Sequence, residues 1–142
     1  GTQEDGTFSE DCFTKWLQRV KEVCTESGHL EFALIDIGKV LIHTPPDPDG
    51  LWIRRAVATA LNDREADDMR DGFRMGVYNS RGVHWINPNG KPERELAQQF
   101  RSKAEEIENA GFQRFAVTLR GLADSYDREA ERIINDHKDR ED

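Results

Sequence analysis

The sequence predicts a mainly α-helical, single-domain bundle of five or six helices that ends in an antiparallel helical hairpin. Three observations predict it. Apolar residues recur at spacings of three and four along most of the 142 residues. Helix start and stop signals punctuate those stripes. Strand-like alternation is confined to residues 30–43. The length is one domain's worth and is enough to bury about two-thirds of the surface of the unfolded chain.

After a frayed lead-in, residues 1–6, Thr7 and Glu10 have the spacing of a capping box. Phe8, Cys12, Phe13, Trp16, Leu17, Val20 and Val23 follow at helical spacing as far as Gly28, so the first helix is expected over 8–27. Residues 29–44, "HLEFALIDIGKVLIHT", support two readings. Leu30, Leu34, Ile37 and Leu41 form a helical stripe, the primary expectation; Leu30, Phe32 and Leu34, followed by Val40 and Ile42 across "DIGK", would suit a short β-hairpin at 30–43. β-branched residues and Gly38 weigh against the helix. On either reading nearly every second residue is apolar, which places the segment at the centre of the core.

"PPDPDG" (45–50) stops that segment, because proline lacks a donor and pushes the residue before it out of the helical region. Asp47 is expected to cap the next helix, with Pro48 in its first position and Trp52, Ile53, Ala56, Val57, Ala60 and Leu61 on one face. Asn62 with Glu65 suggests a second capping box, opening a helix that runs to about Asn79 with Ala66, Met69, Phe73 and Val77 inward. The N-terminal helices thus occupy 7–79, and residues 80–91 form a turn and plug.

Pro92, with Glu93 and Glu95 behind it, marks a new helix start, the acids suiting the positive end of the helix dipole. Leu96, Phe100, Ala104 and Ile107 supply its stripe, and Gly111 is the expected left-handed cap. Phe112, Phe115, Leu119, Leu122, Tyr126, Ala130 and Ile133 then repeat close to a heptad seam. Two long helices joined by so short a turn must lie antiparallel, giving a hairpin over 92–136 and a frayed tail over 137–142.

Composition excludes several functions. Twenty Lys+Arg against 28 Asp+Glu give a net charge of −8 and a pI near 5.0, which disfavours nucleic acid and anionic membranes as partners. No apolar run approaches the ~20 residues a bilayer span needs. Cys12 and Cys24 fall on one helix, roughly 18 Å apart by helical rise, so they cannot bridge each other. Free thiols and a reducing cytoplasm are the expectation. The chain opens on Gly1, not Met, which suggests a processed end or a piece of a longer protein.

The stretch "YNSRGVHWINPNGKPERE" (78–95) holds the most function-like residues. Arg81, His84, Trp85 and Asn87 are the candidate ligand-binding set: Arg81 would hold an anion, His84 would move a proton and Trp85 would cover the ligand. Against this, Ser80 lacks the Gly-x-Ser-x-Gly elbow, both cysteines belong to the first helix, and Val83, Trp85 and Ile86 suit a short apolar plug. "DPDG" (47–50) and "NPNG" (87–90) share one form, Asx-Pro-Asx-Gly. Counted as calcium loops they have Ala58 and Gln98 where a bidentate acid belongs, so both are read as turns. The four histidines have no zinc-type partners, and no metal or cofactor is expected.

Arg54, Arg55, Arg70, Arg74 and Arg81 concentrate cations in the middle third, where Asp63, Asp67, Asp68 and Asp71 are expected to neutralise them. Without a catalytic constellation, the sequence points away from an enzyme and towards a cytoplasmic interaction or assembly module, with the C-terminal part of a larger bacterial-type protein as one expectation for its origin. A protein partner or a homo-oligomer is expected to engage apolar surface left uncovered on the distal hairpin, at Tyr126, Ala130, Ile133 and Ile134. The alternative is a small anionic-ligand or enzymatic site in 78–95; nucleic-acid association through the arginines comes third.

Overall fold

The computed structural model describes residues 9–81 and 87–141, with side chains as far as Lys138. Among these residues it has six α-helices and no strand: α1 (Glu10–Ser27), α2 (Leu30–Val40), α3 (Arg55–Asn62), α4 (Asp67–Asn79), α5 (Lys91–Asn109) and α6 (Gln113–Glu141). The fold class is all-α. The chain divides into two compact units, one ending at Val77 and the other beginning at Tyr78.

In the first unit, the hydroxyl of Ser9 caps α1 by accepting the Cys12 N–H at 3.2 Å; Thr7 of the expected capping box lies outside the described residues. Gly28, at φ 78°, ends α1 as a left-handed cap. Both cysteines are free thiols.

The ambiguous stretch is helical. α2 continues into a 3-10 turn, Leu41–His43, and the β-hairpin alternative does not form. Gly38, which weighed against a helix, is what lets α2 touch α4. A Cβ at Gly38 would stand 2.1 Å from the Met69 carbonyl oxygen, and one at Gly72 would stand 2.0 Å from that of Ile35. One turn on, a Cβ at Gly76 would meet the Lys39 Cα at 3.1 Å. Two helices therefore cross backbone against backbone, a contact that only glycine permits.

The helix expected from Pro48 starts later, at Arg55. Residues 47–50 close a turn instead: the Asp47 carbonyl accepts the Gly50 N–H, and its carboxylate accepts that of Asp49. Asp47 still caps α3, but from eight residues upstream, through Oδ1 accepting the Arg55 N–H at 3.1 Å. The Asn62–Glu65 capping box is likewise replaced, because Asp63 Oδ1 accepts the Glu65 N–H at 2.9 Å. Arg70 then closes the α3–α4 corner. Its buried guanidinium donates to the Leu61 and Asp63 carbonyls at 2.8 and 2.6 Å and pairs with Asp67, satisfying the carbonyls that a helix end leaves over.

In the second unit, residues 87–90 repeat the earlier turn. Asn87 Oδ1 accepts the Asn89 N–H, the Asn87 carbonyl accepts the Gly90 N–H, and Asn89 Oδ1 accepts the Lys91 N–H at the start of α5. In the first turn Asp49 Oδ1 accepts the Leu51 N–H in the corresponding way. Gly111, at φ 99°, lets the Phe112 N–H reach the Ile107 carbonyl and turns the chain back. The ion pairs Arg94–Asp127, Arg101–Asp124 and Arg120–Glu108 descend along α6 as they ascend along α5, so the two helices are antiparallel. Between them lie Ala97, Phe100, Ala104 and Ile107 of α5 and Phe115, Leu119, Leu122 and Tyr126 of α6, all buried. The tail expected to fray from 137 continues α6 to Glu141.

Candidate functional site

Two features qualify as candidates: a polar cluster at the start of the second unit and an apolar surface on the first two helices.

The polar cluster is built on Glu93, which sits in the first turn of α5 and is completely buried. A helix N-terminus favours a carboxylate, which accounts for an acid here but not for its burial. Arg81 supplies the counter-charge, with Nη1 3.3 Å from Glu93 Oε1. The other oxygen, Oε2, has no hydrogen-bond partner among the described residues. Nearby, Tyr126 stacks between Tyr78 and Phe100, with ring centroids 5.3 and 5.9 Å away. Burial pushes the Tyr126 hydroxyl up to about 12, with Arg81 pulling the other way. The Tyr78 hydroxyl donates to Glu129 Oε2 at 2.7 Å, and this bond, then burial, raises it as well.

Of the four expected ligand residues, Arg81 is already engaged by Glu93, so an arriving anion would have to compete with a buried carboxylate. Asn87 is exposed and uses its side-chain oxygen to hold its own turn. His84 and Trp85 lie outside the described residues. Two of the middle arginines are committed in a similar way. Arg70 is buried, and Arg55 Nε meets Asp49 Oδ2 at 2.5 Å. The Leu51 N–H, and after it the Arg55 guanidinium, lower the Asp49 carboxyl below its ordinary value.

The apolar side chains expected to stand uncovered on the distal hairpin are covered. Tyr126, Ala130 and Ile133 are buried, and Ile134 is half-buried. The reason is local cover: Tyr78 and Phe100 sandwich Tyr126, and the Gly90 backbone lies against Ala130, where a Cβ would come within 3.0 Å of the Ala130 carbonyl oxygen.

Uncovered apolar side chains are found on α1 and α2 instead. Phe32 is 69% exposed, Val40 61%, Val23 54% and Trp16 42%. On α1 the buried residues are Phe13 and Leu17, and Trp16 and Val23 lie to one side of them, about 80–100° round the helix from their midpoint at 100° per residue. On α2, Phe32 points about 160° away from buried Leu34 by the same count. The sequence held the signal: α1 has a wider apolar stripe than one contact needs, and α2 is apolar on opposite faces. The outer surface of the hairpin is polar by contrast. A groove of about 440 Å³ there is lined by Arg94, Gln98, Arg101, Ser102, Glu105 and Asp127, and Arg101 is paired with Asp124 and Asp127.

No described helix is long and apolar enough to cross a membrane. Comparison of the sequence with family models gave no match, and comparisons with curated proteins and with solved structures gave none either.

Proposed function

We propose that the chain is a helical protein–protein interaction module whose docking surface is the apolar side of α1 and α2, where an amphipathic helix of a partner protein would be seated. The observation that carries this reading is the exposure of Phe32, Val40, Val23 and Trp16 on two consecutive helices. Such a surface costs free energy in water and is recovered when an apolar partner covers it. In helix-in-groove recognition, a partner's amphipathic helix lays its apolar face on such a surface.

The test uses three forms of the chain as bait: the unaltered protein, the Phe32→Glu/Val40→Glu double variant, and Val117→Glu, which alters exposed apolar surface on α6. Circular dichroism establishes that each is folded. The expected result is a stoichiometric protein partner retained by the unaltered chain and by Val117→Glu and lost by the double variant. Retention by all three would overturn the reading.

A small anionic-ligand or enzymatic site in 78–95 has less support, since Arg81 faces Glu93 and Asn87 serves its turn. Nucleic-acid association has less again, given the net charge of −8 and the engagement of Arg55 and Arg70 with groups of the chain itself.

A further inference from the structure

We draw no further inference here: the strongest candidate, the exposed apolar face of α1 and α2 around Phe32 and Val40, belongs to the docking surface already proposed, and nothing in the structure shows what covers it.

Discussion

The hairpin of α5 and α6 and the pair α1 and α2 are built from similar amphipathic stripes, yet they end differently. On α5 and α6, Val117 is the one large apolar side chain that stands exposed among the described residues, and the seam is closed along its length by facing Phe, Leu, Ile and Tyr. On α1 and α2, four such side chains remain in water. The difference lies in the amount of partner surface. α5 and α6 are long and antiparallel, so each stripe meets the other, and Tyr78 and the Gly90 turn cover the part of α6 around Tyr126 and Ala130. α2 has 11 residues and is apolar on opposite faces; the glycine crossing with α4 covers only the face that carries Gly38. An apolar face needs cover, and Phe32 and Val40 stand away from it.

If the hairpin is scaffold and α1–α2 is surface, truncations should divide accordingly. Phe115→Ala, in the seam, is expected to cost about 3–5 kcal/mol in urea unfolding, the usual range for an aromatic lost from a core. Phe32→Ala should cost less than about 0.5 kcal/mol, as exposed substitutions do. Equal losses would break the comparison.

The buried ion pair sharpens it next. Arg81→Ala leaves the Glu93 carboxylate buried without its counter-charge, and a loss approaching about 3 kcal/mol is expected, because such a charge costs more than the pair contributes. Replacing both residues by Met should recover most of that loss in the same unfolding measurement. A double variant as weak as Arg81→Ala alone would show that the pair does more than neutralise itself.

Gly72→Ala comes third. Its methyl would stand 2.0 Å from the Ile35 carbonyl oxygen, so α2 and α4 must separate, at about 1–3 kcal/mol by the cost of overpacking. Thermal unfolding measures it, and Gly121→Ala, where nothing lies within 4 Å of the new methyl, is the control on α6.

A smaller effect is expected at alkaline pH. Burial raises Tyr126 from its ordinary value of 10.0 to about 12, so between these values the folded chain holds a proton that the unfolded chain has released. Stability from this group is therefore fully present below pH 10 and is lost as the pH rises through about 12. Tyrosinate absorbance should show two steps, with the later one missing in Tyr126→Phe. A single step near the ordinary value for both tyrosines would place Tyr126 in water.

The periodic parts of this fold were legible. Heptad-like spacing and Gly111 located the hairpin, and Gly28 located the end of α1, because these depend on residues close in sequence. Helix starts were harder. An Asx-Pro-Asx-Gly turn resembles a capped helix start locally, and only the reach of Asp47 to Arg55 shows that α3 begins after it. Burial of Glu93 against Arg81 was hidden as well: an acid after Pro92 suits the helix dipole whether or not anything covers it. Uncovered apolar side chains were expected on the distal hairpin, where Tyr126, Ala130 and Ile133 are buried. Their cover comes from Tyr78 and Gly90, distant in sequence, whereas the surplus apolar residues of α1 and α2 are visible in the sequence itself.

Photo-crosslinking tests the division most directly. A photoreactive phenylalanine is placed at position 32 in one protein and at position 117 in another, and each is irradiated in lysate. The expected result is one discrete protein adduct from position 32 and none from position 117. Adducts of equal yield from both positions, or an adduct from 117 alone, would contradict α1–α2 as the docking surface.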